Sequence, residues 1–133
     1  MDKVMALDVG EKRIGIALSD FLHVIATPHS FISRKPEEDA INQIKKIAKD
    51  NRVETIVVGL PINMDGTQGH QAQDCLGFAD HFKDSFNVIM EDERLTSDLA
   101  EENLRNKKID FRKNKGLVDI ESACIILEQY LSK

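Results

Sequence analysis

The stretch ALDVGEKRIGIALSD, residues 6–20, decides the fold of this 133-residue chain. Residues 4–9 form a short apolar run typical of a buried strand, and strand periodicity resumes over residues 13–20 after the turn VGEK. Together they predict a β-hairpin. Asp8 lies near the end of the first strand, where an unpaired buried carboxylate costs several kcal/mol. A buried Asp8 therefore needs a structural partner or a functional role elsewhere in the sequence.

Beyond the hairpin, the hydrophobic period predicts three further strands and four helices. The strands are expected at residues 23–33, 55–61 and 87–93, and the helices at about residues 36–50, 72–82, 96–106 and 117–131. Pro28 favours an edge position or a bulge for the third strand. Three consecutive strands form an antiparallel meander, whereas strands separated by helices are joined in parallel by right-handed crossovers. The predicted fold is α/β, a five-stranded mixed sheet with helices on both faces, in one domain over residues 1–133.

The composition excludes several classes of protein. Hydrophobic residues are 41% of the chain and charged residues 31%, which is typical of a globular domain. We expect no membrane span and no signal peptide, because no apolar run reaches roughly 18 residues and the N-terminus lacks a charged segment before an apolar one. Cys75 and Cys124 are expected to be buried thiols of a cytoplasmic protein. The net charge of −5 argues against binding nucleic acid over the whole surface, but allows a local basic patch.

Acids from three distant segments are candidates for one site. Asp119 shares a helix face with apolar residues such as Ala123 and Ile126, and Glu93 lies in the run EDERL after the fifth strand. Each has a structural alternative. Asp8 could cap the hairpin turn or pair with Arg13, Asp119 could stabilise a helix N-terminus, and the acidic run could be a solvated strand end.

The combination of the three acids is more informative than any one of them. Strand ends beside a chain reversal in an α/β sheet are where ligands bind. Carboxylates that converge there repel one another unless they share a cation, and Mg²⁺ prefers a few carboxylates together with waters and phosphate oxygens. Two such ions about 4 Å apart can activate water and stabilise the leaving oxygen in phosphodiester hydrolysis.

Four segments carry a resemblance to a known family. LDVGEKRIGIALSD, VVGLPINMDGTQG, EDERLTS and KGLVDIESACIIL resemble the signature motifs of the YqgF family. This RuvX-type, RNase H-like group is described both as Holliday junction resolvases and as pre-16S ribosomal RNA nucleases. The resemblance covers essentially the whole chain, with the motifs in order and without large insertions.

The resemblance implies an RNase H-like fold and a nuclease site that uses Mg²⁺ or Mn²⁺. Asp8, Glu93 and Asp119 would be both the catalytic and the metal-binding residues. In many RNase H-like nucleases the middle acid follows the fourth strand, but this chain reads GLP there. Glu93 of the DER motif is therefore the first choice and Asp92 the second. The implied substrate is the 5′ end of precursor 16S ribosomal RNA within pre-ribosomal particles, or branched DNA.

Cations and one loop residue are candidates for substrate binding. Lys12, Arg13 and Arg94 lie close in sequence to the acids, where they could contact phosphate or simply offset the acid cluster. Asn63 belongs to the loop GLPINMDGTQG, which is expected to border the site and lead into a helix N-terminus. A plain turn is the alternative interpretation of that loop.

Residues 105–115, RNKKIDFRKNK, contain six cations and one acid. A solvated loop is the ordinary interpretation, but in an acidic protein we expect a segment that binds the nucleic-acid backbone. Phe111 could stack on a base, pin the loop, or serve a subunit interface. The four cations proposed to contact substrate are Lys107, Lys108, Arg112 and Lys113.

Two other classes of function remain open from the sequence. Sugar-kinase-like and actin-like ATPases begin with a similar strand and turn, but they need two such domains. A binding module in ribosome assembly with little catalysis is the other. The histidines show no zinc pattern, and His70 and Asp74 are expected at the surface.

Overall fold

The structure is a computed structural model, and it describes residues 2–93 and 96–133. Five strands and four helices occur in the predicted order. The strands are β1 (Lys3–Val9), β2 (Arg13–Ser19), β3 (Ala26–Ser33), β4 (Val53–Leu60) and β5 (Asn87–Asp92). The helices are α1 (Glu37–Asp50), α2 (His70–Asp80), α3 (Thr96–Asn106) and α4 (Gly116–Leu131).

The strands form one mixed sheet in the order β3-β2-β1-β4-β5. β1, β2 and β3 are antiparallel neighbours, and β4 runs parallel to both β1 and β5. The predicted fold class is confirmed. β3 is one of the two edge strands, and its pairing register shifts beside Ala17, which faces Pro28. Proline has no N–H to donate to a ladder, which suits this position.

Helices cover both faces of the sheet, and strand alternation decides which side chains each helix meets. Met5 and Leu7 of β1 pack with α1 and α2, whereas Ala6 packs with Ala123 and Ile126 of α4. α3 packs against α4 on the same side of the molecule. Since alternate residues of a strand share a face, Asp8 lies on the α4 side with Ala6.

Two glycines let the backbone of α4 and the side chain of Glu93 approach the sheet closely. Gly15 pairs with Asp8 across β1 and β2, and a Cβ atom there would overlap the backbone carbonyl of Asp119. A Cβ atom on Gly59 of β4 would lie 2.8 Å from Oε2 of Glu93. The absence of these side chains brings the three predicted acids together.

A buried arginine fixes the first hairpin turn. The side chain of Arg34 is only 5% exposed, and its guanidinium donates two 3.0 Å hydrogen bonds to the carboxylate of Asp74. It also donates to the carbonyl of Gly10 at 3.0 Å and to Glu37 at 3.2 Å, and it lies over the ring of Phe78. One side chain thus ties the β1–β2 turn to α1 and α2.

The cysteines and the lengths of the helices bear on two expectations from composition. Cys75 and Cys124 are buried and unpaired, and burial raises the pKa of each thiol to about 12. A thiol that stays protonated is a weak nucleophile, so both residues act as small apolar groups. Within residues 2–93 and 96–133, each helix is too short or too polar to cross a bilayer.

Replacing Gly15 by alanine should destabilise the protein by about 1–3 kcal/mol, because the added Cβ overlaps fixed backbone of α4. Urea unfolding of Gly15→Ala followed by circular dichroism measures the change. Gly77→Ala is the matched control. Gly77 is an exposed residue of α2 with no atom within 4 Å of an added Cβ, so this variant should gain about 0.5–1 kcal/mol. Equal effects of the two substitutions would contradict the close approach of α4 to β2.

Candidate active site

A cleft of about 380 Å³ lies at the end of the sheet where the parallel strands finish. Three acids predicted from the sequence line it, each from a different element: Asp8 from β1, Glu93 directly after β5, and Asp119 from the first turn of α4. Asp92, the second choice for the middle acid, is exposed and does not line the cleft. The remaining lining residues are Val9, Gly10, Glu11, Pro61, Gln71, Asp74, Thr96 and Asp98.

Asp8 and Glu93 form a hydrogen-bonded pair of largely buried carboxyl groups. β1 and β5 lie on either side of β4, and Gly59 of β4 leaves the space between them free. The backbone N–H of Glu93 donates to the carbonyl of Leu60 at 3.2 Å, which extends the strand pairing by one residue. This continuation directs the Glu93 side chain to the α4 side, toward Asp8.

The pKa values of both carboxyl groups are raised. Burial, and after it the negative charge of Asp119, raises the pKa of Asp8 to about 7. Burial and the neighbouring Asp8 raise the pKa of Glu93 to about 9. Two like charges this close cannot both ionise easily, so the pair holds a shared proton unless a cation replaces it.

Asp119 is paired with Arg13, the first residue of β2. The Arg13 guanidinium donates from Nε to Oδ2 of Asp119 at 2.7 Å, with 32% and 21% of the two side chains exposed. The sequence allowed an ion pair between Arg13 and Asp8, but Arg13 forms its ion pair with Asp119. Burial raises the pKa of Asp119, and Arg13 opposes that rise.

The donor chemistry of the cleft fits a hard divalent cation. The three converging acids offer only oxygen ligands, which Mg²⁺ and Mn²⁺ prefer. The hydroxyl of Thr96, another lining residue, is buried and has no hydrogen-bond partner in the described part of the chain. Within that part, no three His, Cys, Asp or Glu side chains form a complete metal-binding group. Asp8 and Glu93 are hydrogen-bonded to each other, and Asp119 is paired with Arg13.

Asp74 lies in the cleft wall, a position that the sequence interpretation missed. It was expected at the surface beside His70, but it is half-buried and lines the cleft, whereas His70 is exposed. Its hydrogen bonds to Arg34 lower its pKa. No local signal in the sequence locates it, because its partner Arg34 lies 40 positions away.

The other predicted substrate-binding residues near the cleft differ in position. Lys12 is exposed and lines a neighbouring groove of about 510 Å³, which shares Gln71 and Asp74 with the cleft. Asn63 does not line the cleft, and its amide donates to Oγ1 of Thr67 at 3.0 Å within its own loop. The loop is closed by a β-bridge between Ile62 and Gln68, and its Pro61 lines the cleft. Arg94 lies outside the described residues.

The basic segment connects α3 to α4, directly before the helix that carries Asp119. Its four predicted contact residues, Lys107, Lys108, Arg112 and Lys113, are all exposed. Lys107 lies 3.4 Å from Glu121, and Arg112 pairs with Asp110. Phe111 is partly buried, with the Arg105 guanidinium 5.9 Å from its ring centre. The segment thus presents cations to solvent beside an aromatic ring.

Comparison with known proteins shows similarity along the whole chain. The RuvX family model, described as Holliday junction resolvase, matches residues 2–133. A protein of Chloroflexus aurantiacus named "Putative pre-16S rRNA nuclease" is 45% identical over 96% of this chain and 85% of its own length. A protein of Clostridium acetobutylicum with the same name is 41% identical over 98% of both chains.

Solved structures show the same fold at low sequence identity. The Fowlpox virus Holliday junction resolvase aligns with a TM-score of 0.60 at 14% identity, over 98% of this chain and 97% of its own. Thermus thermophilus RuvC, solved in complex with a Holliday junction substrate, aligns with a TM-score of 0.52 at 12% identity, over 98% and 94%. The predicted RNase H-like fold is confirmed by these two neighbours.

Asp8→Asn should make the metal-free protein more stable than the wild type at pH 8, by about 2 kcal/mol. The raised pKa values of Asp8 and Glu93 mean that the folded state holds protons which the unfolded chain releases above about pH 4. Wild-type stability therefore falls as the pH rises from about 4 through 7 and toward 9. Asparagine cannot ionise, so the stability of Asp8→Asn should fall less with rising pH than that of the wild type.

Urea unfolding in EDTA at pH 5 and pH 8 measures this difference. Asp84→Asn is the control, because Asp84 is exposed in the turn before β5, at the opposite end of the sheet. It should leave the pH dependence unchanged. If Asp8→Asn were less stable than the wild type by the same amount at pH 5 and at pH 8, the pair would not be a site of charge repulsion.

Proposed function

Because this chain belongs to the RuvX family, we propose that it is a metal-dependent endonuclease that hydrolyses phosphodiester bonds in structured nucleic acid. One observation carries the proposal. Three acids from separate elements line one cleft, and two of them are largely buried against each other at a cost to the fold. Packing alone gives no reason to bury two like charges together, whereas binding of divalent cations does. Residues 1–133 would act as one nuclease domain.

Asp8, Glu93 and Asp119 would hold Mg²⁺ or Mn²⁺. The bound ions would supply a nucleophilic water and stabilise the leaving oxygen. Asp8 and Glu93 would give up their shared proton on loading, because ligating carboxylates must be ionised. The Thr96 hydroxyl would donate to an oxygen in the cleft, and Arg13 and Lys12 would contact phosphate at its mouth.

Precursor ribosomal RNA is the substrate we favour, with cleavage at the 5′ end of the 16S sequence within pre-ribosomal particles in the cytoplasm. The names of the 37–45% identical relatives support this choice. The basic segment between α3 and α4 supports nucleic acid as the partner, since exposed lysines and arginines bind phosphate backbones. Asn63 and Arg94 would add contacts from the loops that flank the acids.

Cleavage of four-way DNA junctions is the second candidate. The description of the matching family as Holliday junction resolvase favours it. The phosphodiester chemistry proposed for the cleft is common to RNA and DNA. The choice between the two substrates therefore depends on the surface around the cleft rather than on the acids.

Asp8→Asn should reduce cleavage about a thousandfold, because several kcal/mol of transition-state stabilisation depend on the bound ions. The assay compares labelled precursor 16S RNA and a four-way DNA junction, with Mg²⁺ or Mn²⁺, and Asp84→Asn as the control. We expect wild type and control to cleave the RNA at a defined site. Preferred cleavage of the junction would favour the resolvase. Activity that survives Asp8→Asn would contradict the proposed nuclease site and point to a contaminant or a different site. No activity on either substrate would also contradict it and would favour a binding module.

Charge reversal in the basic segment should weaken RNA binding and reduce its salt dependence. Replacing Lys107, Lys108, Arg112 and Lys113 by glutamate removes up to four phosphate contacts, each of which adds about 0.7–0.9 to the slope of log K against log salt. Fluorescence anisotropy with labelled precursor RNA in EDTA, at several salt concentrations, measures both quantities.

The matched control reverses four other cations, Lys45, Lys46, Lys49 and Arg52, to give the same net charge. Three of these line a groove at the far end of the sheet, with Asp2 and Phe86. If both quadruple variants lose the same affinity and slope, only overall charge matters, and the basic segment has no special part in binding.

A further inference from the structure

The ion pair between Arg13 and Asp119 leaves one of the three acids with a cationic partner inside the protein. This pair is the starting point for an inference that rests on the proposed nuclease function. Two cations that require the same carboxylate compete for it, because each lowers the charge available to the other. Arg13 and a divalent cation would compete in this way for the carboxylate of Asp119.

The backbone on the Asp119 side of the pair is fixed. Asp119 lies in the first turn of α4, and its carbonyl packs directly on Gly15 of β2. Its side chain is only 21% exposed and faces the cleft that Asp8 and Glu93 also line. The carboxylate therefore stays at the cleft whichever cation it binds.

The Arg13 side of the pair is fixed at the backbone. The carbonyl of Arg13 accepts from the N–H of Gly10 at 2.9 Å, and the preceding carbonyl, of Lys12, accepts from the N–H of Arg34 at 2.8 Å. The guanidinium is 32% exposed at the end of a long side chain, and its bond to Asp119 is made through Nε. Its terminal nitrogens can serve a phosphate when that bond is released, since a guanidinium binds phosphate with two donors.

We propose that Arg13 is an exchangeable counter-ion of Asp119. In the metal-free protein Arg13 neutralises this acid, and the described acids form no complete metal-binding group. On loading, Asp119 passes from Arg13 to the divalent cation, and the released guanidinium binds a phosphate of the nucleic acid. Metal ion and nucleic acid then strengthen each other's binding, by the same factor in both directions.

A Mn²⁺ titration of the full chain, with free Mn²⁺ followed by electron paramagnetic resonance, tests the exchange without any cleavage. Arg13→Gln should bind Mn²⁺ roughly three- to tenfold more tightly than the wild type, because the competing charge is gone. Arg52→Gln, which removes an exposed cation before β4 at the opposite end of the sheet, should leave the affinity unchanged. The increase should vanish when Arg13→Gln is made in an Asp119→Asn background.

RNA binding in EDTA provides the second measurement. Asp119→Asn should raise metal-free affinity for labelled precursor RNA roughly threefold, because Arg13 is released and a negative charge is lost. The Asp119→Asn and Arg13→Gln double variant should lose the part that depends on Arg13, so the two substitutions should not be additive. Urea unfolding of each variant establishes that it is folded.

Several outcomes would overturn the exchange. Lower Mn²⁺ affinity in Arg13→Gln would make Arg13 a positioning residue that holds Asp119 for the ion, and unchanged affinity would remove it from metal binding altogether. Additive effects on RNA binding would show that Asp119 does not restrain Arg13. Failure of the nuclease proposal looks different: neither the wild type nor Arg13→Gln would then bind Mn²⁺ in a manner that depends on Asp8.

Discussion

The electrostatic repulsion between Asp8 and Glu93 is the constraint on which the rest of this structure depends. Both carboxyl groups are largely buried at the ends of β1 and β5, the parallel strands on either side of β4, and burial raises the pKa of each. A protein selected for stability alone would place an apolar residue at either position, since an uncompensated buried charge is costly. The pair makes physical sense as a site that exchanges a proton for a cation, and the third acid, Asp119, extends it across the cleft.

The surrounding fold gives this repulsion a fixed geometry. Gly15 and Gly59 permit the backbone of α4 and the Glu93 side chain to approach the sheet, so the acids cannot relax apart without repacking the core. Arg34 ties the hairpin turn after Asp8 to α1 and α2 through Gly10, Glu37 and Asp74. Stabilising interactions thus surround a destabilising centre, which is a usual arrangement at functional sites.

Much of the fold followed from the sequence because its signals are local. The alternation of residues 13–20, the apolar run before Leu60 and the start of α3 at Thr96 all depend on period or propensity, and the strand order follows from connection rules. The approach of the three acids to one cleft also followed, since parallel strands end at the same edge of a sheet. Glu93 rather than Asp92 faces the cleft because strand pairing continues one residue beyond β5.

The features that were missed depend on partners distant in sequence. The bond between Arg13 and Asp119 joins residues 106 positions apart, and the anchor between Arg34 and Asp74 joins residues 40 apart. Local sequence patterns do not show which acid will form an ion pair with a given arginine. The position of Asn63 has a local cause instead: its amide donates to Thr67 within its own loop, because a tight turn has internal polar groups to satisfy.

The most direct test of this account is a crystal structure of the wild-type protein grown with Mn²⁺ and measured for anomalous scattering. The account predicts an anomalous peak in the cleft with carboxylate oxygens of Asp8, Glu93 and Asp119 at about 2.0–2.6 Å, the range of hard-cation ligation. It also predicts that the hydrogen bond between Asp8 and Glu93 is broken. A cleft without Mn²⁺, in which these two carboxyl groups remain bonded and Asp119 remains on Arg13, would contradict it.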